Sequence, residues 1–408
     1  MPDKVYGVSL GSWLILESWM LPEGIFEWIR MGGELCDDRT QCISAEFELA
    51  RAYPDTVDEV FDTHWSSRFN QDDVRDLVEV GINTVRIPLG YWIIEALVDR
   101  KTEFYPRGGI HHLKRGLRQL KDAGIMSILD HHGLPGVQSP NHTFTGRCTS
   151  DAEFFTEYNY HRALVWTAVI TTLSHLDPDF SNVVSIEAVN EPTRDATQTP
   201  GYGGFQKNFV QVVRAVELTL GINVPWSEPN ITTTDTSNFT VALENTASSS
   251  SLDSEVRSVL SDAVPILVEL TYNNPSNPRD AQIGPQFYDD HLYYLYGGTD
   301  VQASMESICN LPFLEDDAAL GNNPVVFGEW SLSTQFTATD EFLYKFADAQ
   351  KLAFTKGAGW IFWSFKVEIS TLAGDLARQW SYLEGVKRGY FTRDPSKVND
   401  THVCDSYV

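Results

Sequence analysis

The sequence predicts an α/β protein built as a (β/α)8 TIM barrel, a single domain over residues 1–408 with long rim loops. Three observations predict it. Eight short apolar runs recur along the chain, amphipathic segments separate several of them, and polar residues gather at the C-terminal ends of at least six runs. Strands that alternate with helices make a parallel sheet, and eight such units close into a barrel before they make an open sheet. The size agrees: 408 residues, 42% of them apolar, suffice for one large core, and barrels often exceed the usual domain length as one unit.

The elements follow in order. "YGVSL" (Tyr6 to Leu10) is the first strand, and a long insertion from Phe26 to about Tyr53 follows it. Asn70 reads as a helix N-cap, with Asp72 and Asp73 in the first turn and Val74, Leu77 and Val78 on one face; Gly81 ends that helix. "NTVRIPL" (Asn83 to Leu89) is the second strand, His111 to Gly124 a helix, and "IMSILDHH" (Ile125 to His132) the third strand. "VVSIEAVNE" (Val183 to Glu191) is the fourth, and Pro192 stops it. Pro225 to about Asp253 is rich in Ser, Thr and Asn and has little helical periodicity, so it reads as a surface loop inserted before the fifth strand. A linker between two domains is rejected, because the strand count reaches eight only if both sides belong to one barrel. Strands five to eight are "PILVEL" (Pro265 to Leu270), "PQFYDDHLY" (Pro285 to Tyr293), "PVVFGEW" (Pro324 to Trp330) and "GWIFWSFKVE" (Gly359 to Glu368), with a helix from Asp340 to Gly357 before the last.

Charge and cysteine content bound the partners. A net charge of -26 repels phosphate backbones and anionic lipid, so nucleic acid and membrane are excluded as partners while a neutral substrate is unhindered. No apolar run has the length needed to span a bilayer. No signal peptide is visible at Met1 to Val5, yet N-x-[ST] sequons stand at Asn141, Asn230, Asn238 and Asn399. A secreted, monomeric protein whose signal has been removed is the expectation. Cys36, Cys42, Cys148, Cys309 and Cys404 fit no zinc spacing; one or two disulfides with a cysteine left over is the reading, and "CDDRTQC" is one candidate loop.

In a barrel the chemistry sits where strands end. Arg86 lies on the second strand; Asp130, His131 and His132 end the third; Asn190 and Glu191 the fourth; Asp290, His291 and Tyr293 the sixth; Glu329 and Trp330 the seventh; Trp363, Lys366 and Glu368 lie on the eighth. Glu191 and Glu329 stand out, because glycosidic cleavage needs one protonated and one ionised carboxyl across a cleft. Arg86 is the natural partner of the ionised member. Asn190 suits a sugar hydroxyl, and Trp363 offers an apolar face. Blander readings stand beside these. Arg86 with either glutamate is also what a plain buried ion pair looks like, and His132 alone reads as a satisfied core histidine. His131 is read as structural, and Trp360 and Phe362 as facing helices. Trp13, Trp19, Trp92 and Trp380 are core or rim residues without a role. His132, His291 and Asp130 follow no known metal spacing, so no metal and no cofactor is expected.

The stretches "GVSLGSWLILESWM", "VRIPLGYW", "LDHHGLPGVQS", "IEAVNEP", "DDHLYY", "VVFGEWS" and "GWIFWSFKVE" run in order over nearly the whole chain. In them the sequence resembles glycoside hydrolase family 5, and more closely its fungal exo-β-1,3-glucanase branch. The resemblance implies a barrel that cleaves β-glucan or a β-glucoside with retention. It implies Glu191 as acid/base, Glu329 as nucleophile, and substrate contacts by Arg86, His132, Asn190, His291, Tyr293 and Trp363. Glu17 matches a residue that meets the terminal glucose in that branch. The branch also carries an acidic residue where Thr145 or a neighbour stands here, and the insertion after the fourth strand is longer. Exo-action on β-1,3-glucan is therefore the first expectation. A β-1,6-glucanase, an endo-acting glucanase or a rutinosidase-like diglycosidase is the alternative, and a catalytically dead sugar-binding barrel the remote one. Retention sets the two carboxyls roughly 5 Å apart, and turnover is expected to be bell-shaped and acidic.

Overall fold

The computed structural model describes residues 2–23, 43, 45–224, 237–264 and 285–407. Its strands are β1 (Val5–Ser9), β2 (Thr84–Gly90), β3 (Met126–Gly133), β4 (Val183–Glu187), β5 (Tyr288–Leu292), β6 (Val325–Trp330) and β7 (Gly359–Phe362). They form one parallel sheet in the order β4-β3-β2-β1-β7-β6-β5. The strand predicted at Pro265–Leu270, which in sequence falls between β4 and β5, lies outside the described residues. Val5, Ile128, Val326 and Ile361 close a small apolar cluster of their own, and the larger core packs the helices against the sheet. β1 and β7 approach so closely that a Cβ on Gly7 would lie 2.9 Å from the Ile361 side chain and 3.0 Å from the Thr84 carbonyl.

Local sequence explains the flanking helices. Asn70 caps the helix Gln71–Glu79, accepting from the Asp72 amide at 2.8 Å while Asp73 accepts from the Asn70 amide at 2.9 Å. Gly81 follows with φ 71°, a left-handed turn glycine takes without strain. Thr339 caps Asp340–Thr355.

Two expectations need correction. The Ser/Thr/Asn-rich stretch is not loop throughout: Ser237–Ala247 is helical, and Ser254–Ala263 follows it. Leu243 and Ala247, four residues apart, are buried; the polar residues between them diluted the period without breaking it. In the first insertion, Glu46–Ala52 is a largely buried helix, and residues 26–42, with Cys36 and Cys42, lie outside the described residues. The last strand is shorter than expected and ends at Phe362. Lys366 turns away to pair with Asp73. Cys309 and Cys404, 95 residues apart, form a disulfide that ties the C-terminal segment to the helix Val301–Cys309. No described helix is long and apolar enough to cross a membrane.

Candidate active site

Because the strands are parallel, their C-terminal ends open on one face, and register sets the site. Asp130 pairs in register with Glu187, and His291 with Glu329. Arg86 lies among them, fully buried on β2. A buried guanidinium needs a full set of acceptors, and it has one. Its Nε and Nη2 fork onto Glu187 at 2.8 and 3.0 Å. Nη2 also reaches the Asn190 Oδ1 at 2.9 Å. Nη1 reaches Glu329 Oε1 at 2.7 Å and Asp130 Oδ2 at 3.1 Å, and Asp289 stands 3.7 Å from Nε.

A second chain of bonds fixes the tautomers. His132 Nδ1 lies 2.6 Å from Asp130 Oδ2, and Asn190 Nδ2 faces His132 Nε2 at 3.5 Å. Asn190 Oδ1 already accepts from Arg86, so its amide nitrogen is the donor and His132 Nε2 the acceptor. His132 is therefore neutral, as burial, which pushes it down to about 3, also requires. Its ring lies nearly parallel to that of Trp363, with 5.6 Å between centroids and 7° between planes.

His291 stands between the two glutamates. Its Nδ1 is 2.9 Å from Glu191 Oε1 and 3.5 Å from Glu329 Oε2, and its Nε2 is 3.8 Å from Asp289 Oδ2. Burial disfavours its charge, but Glu329, Asp289 and Glu191 together raise it well above an ordinary histidine. Burial also works against the charge of Glu191; the hydrogen bond and charge of His291 outweigh it and pull Glu191 down to about 2. Glu329 goes the other way: burial raises it, against His291 and Arg86. Tyr293 Oη donates to Glu329 Oε2 at 2.8 Å. Facing oxygens of Glu191 and Glu329 lie within 4.8 Å of each other, short of the separation of about 6.5–9.5 Å that an inverting pair needs for its water. The Glu191 backbone has φ 38°, a left-handed conformation that costs a non-glycine residue roughly 1–3 kcal/mol and clusters at working sites.

Arg86, His132, Asn190, Glu191, His291, Tyr293, Glu329 and Trp363 thus come together. Glu17 lies on the Tyr293 side and accepts the Trp19 indole at 2.9 Å. Trp19, Trp380, Tyr293 and Trp363 share one apolar cluster at this rim. Thr145 is buried, and its hydroxyl bonds His142 O and Arg147 O within its own turn. His131 stacks on Trp166, as a structural residue would. Trp360 packs against Trp330 in the core. Glu368 accepts the Glu23 amide at 2.8 Å and joins two rim loops.

Sequence reasoning passed over Glu187 and Asp289. Glu187 stands four residues before Glu191 inside an apolar run, and a carboxylate there is costly unless paired; that signal was readable. Burial pushes Glu187 up to about 8 and Asp130 up to about 7, against Arg86. The fork onto Arg86 is the geometry of a charged carboxylate, so burial and pairing oppose each other at Glu187. Glu187, Asp289 and His291, and likewise Glu191, His291 and Glu329, bring donors close enough for a metal ion. His291 would have to be neutral to ligate, and three carboxylates hold its proton.

Paired carboxyls at short range in the mouth of a barrel are what cleavage of a glycosidic bond requires; the class this fold and cleft define is the glycoside hydrolases. The chain belongs to the cellulase family, glycosyl hydrolase family 5, whose model matches residues 55–368. Over 98% of its length it is 30% identical to the glucan endo-1,6-beta-glucosidase B of Emericella nidulans, covering 88% of that protein. It is 28% identical to the probable glucan 1,3-beta-glucosidase A of Aspergillus fumigatus over 52% of this chain and 47% of that one. The fold matches the crystal structure of a rutinosidase from Aspergillus niger with TM-score 0.62 at 18% identity, over 95% of this chain and 97% of that one.

Proposed function

We propose that the protein is a retaining β-glycosidase that cleaves β-1,6-glucan within the chain. The observation that carries the linkage is the likeness to a glucan endo-1,6-beta-glucosidase along nearly the whole chain, against a likeness over half of it to a 1,3-beta-glucosidase. In the mechanism, the Glu329 carboxylate attacks the anomeric carbon while Glu191 gives its proton to the departing oxygen. The C1–O bond breaks as an ester to Glu329 forms. Glu191 then takes a proton from water, the water oxygen attacks C1, and Glu329 leaves as carboxylate. Arg86 and Tyr293 hold Glu329, one at each oxygen. Asn190, His132, Trp363 and Glu17 bind the sugar.

Exo-action on β-1,3-glucan is the second reading, favoured by Glu17 and Trp19 at the rim. Thr145 weighs against it, since its hydroxyl is spent within its own turn and offers no charge to a terminal sugar. An extracellular setting is supported by the Cys309–Cys404 disulfide and the sequons. A digest of β-1,6-glucan, laminarin and a flavonoid rutinoside tests the reading. Short oligosaccharides appearing early from β-1,6-glucan support it. Glucose alone from laminarin supports the exo reading, and an intact disaccharide from the rutinoside alone shows a diglycosidase.

A further inference from the structure

The helix Glu46–Ala52 takes no part in the reaction proposed above, yet it touches three loops that rim the cleft. Glu46 is 0% exposed. Its Oε1 accepts the Leu16 amide at 2.9 Å, one residue before Glu17, and its Oε2 accepts the Trp92 indole at 2.7 Å, just past β2. Phe47 N donates to Gly146 O at 3.0 Å, and Glu48 accepts the Cys148 amide at 3.3 Å, both in the loop beyond β3. The Arg147 guanidinium lies 4.4 Å over the Phe47 ring. The loop that Glu46 grips is also held nearer β1, where Trp13 donates to Trp65 O at 2.9 Å and His64 Nε2 lies 2.8 Å from Ser12 O. Ser12, with φ 56°, bonds both the amide and the carbonyl of Glu17 at 3.1 Å, and Trp19 bonds its carboxylate.

The structure assigns Glu46 as a positioning residue for Glu17: its carboxyl ties the loop carrying Glu17 to the fixed ring of Trp92. Trp92 itself is pinned, stacked on Tyr105 with centroids 4.0 Å apart and planes 7° apart. Two inward donors need two acceptors in one small group, and a carboxyl supplies them. An amide supplies one and turns its own N–H against the other donor. Burial, opposed by these two bonds, raises Glu46 to about 8, and among the described residues no cation pairs with it. This inference rests on the sugar-binding role proposed for Glu17.

The test is a cycle of Glu46→Gln and Glu17→Gln, with KM and kcat measured on an aryl β-gentiobioside and unfolding followed alongside. Glu46→Gln is expected to raise KM about tenfold and leave kcat within about twofold, the pattern of lost uniform binding. On the Glu17→Gln background it is expected to change KM by less than about twofold, because its route is already cut. A full tenfold rise on that background overturns the assignment and leaves Glu46 a purely structural group. If Glu17→Gln alone leaves KM unchanged, the role of Glu17 falls and this inference falls with it. Trp92→Phe cuts the same bond from the other end and serves where Glu46→Gln does not fold. It is expected to raise KM in the same direction, and an unchanged KM overturns the assignment.

Discussion

Replacing Arg86 with methionine removes one cation from beneath four carboxyls. Asp130, Glu187 and Glu329 each touch the guanidinium at 3.1 Å or less, and all three are wholly or nearly buried. Removing one side of a buried ion pair costs about 3–5 kcal/mol, because the partner's charge is left without compensation. The carboxyls can escape part of that cost by taking up protons. The sign follows from linkage. Asp130 and Glu187 already stand at about 7 and about 8, above their unfolded values. Losing Arg86 raises them further, so the folded variant binds more protons than the folded parent. The deficit of Arg86→Met is therefore largest above pH 8, shrinks as pH falls through the two parent values, and levels off below about 7, where both folded proteins hold these protons. Each extra proton contributes about 1.4 kcal/mol per pH unit to that slope. Urea unfolding of both proteins at pH 6, 7, 8 and 9 measures it. Adding Glu187→Gln to the variant is expected to return part of the loss at pH 8. A deficit below about 1 kcal/mol, or one flat across this range, refutes the network argument. Activity follows as well, because a protonated Glu329 is no nucleophile: kcat/KM at pH 7 is expected to drop by about 10–10³-fold, the range one lost opposite charge commands.

Glu329→Gln is expected to lower kcat more than about 10³-fold, or about 4 kcal/mol of transition-state stabilisation, while sugar binding by calorimetry persists; normal turnover would show the nucleophile wrongly assigned. Glu191→Gln is expected to lose about 10²–10⁴-fold on glucan yet release a burst of phenol from a dinitrophenyl glycoside, whose leaving group needs no proton. The pH profile of kcat/KM is expected to be bell-shaped, rising as Glu329 ionises above its ordinary range and falling as the proton shared by His291 and Glu191 is lost. His291→Asn is expected to move the falling limb to lower pH, and an unmoved limb would take His291 out of the proton path. Reducing the Cys309–Cys404 disulfide is expected to cost about 4–5 kcal/mol for a closed loop of that length, read as a lower urea midpoint.

Apolar runs flanked by Gly and Pro read directly as strands, since a strand buried on both faces has no polar positions to blur it. Asn70 and Gly81 read as helix punctuation for equally local reasons. Ser237–Ala247 did not, because its buried positions are outnumbered by Ser, Thr and Asn, and packing rather than composition decides it. Glu191 and Glu329 were readable as polar groups at strand ends. Glu187 is hidden inside an apolar run four residues before Glu191, and Asp289 is overshadowed by Asp290 and His291 beside it. The role of Glu46 is of a different kind. It joins loops after β1 and β2 from a helix between them, and no local pattern encodes such a meeting.

At rest the carboxyl proposed as the acid is the charged one, and His291 explains why. The roles proposed above need Glu191 protonated and Glu329 charged. At rest Glu191 is the charged one, pulled down by an imidazolium 2.9 Å away, and Glu329 is raised by burial. Glu191 and His291 hold one proton between them, and solvent helps decide where it lies. Glu191 keeps 34% of its side chain exposed, so water supports the ion pair in the open cleft. A sugar that fills the cleft expels that water. Desolvation raises the cost of two opposite charges more than that of a neutral acid beside a neutral imidazole. With the roles proposed above, the proton is then expected to move from Nδ1 to Oε1 across a bond already formed, leaving Glu191 as the acid when substrate arrives. Glu329 sits on the other side of the same histidine, 3.5 Å away, with Arg86 and Tyr293 still donating to it. Neutralising His291 removes one cation from Glu329, and these two donors are what remains to keep it charged. Arg86 is thus needed most at the moment His291 gives up its proton. That is the physical reason for a buried guanidinium in a site already rich in hydrogen-bond donors.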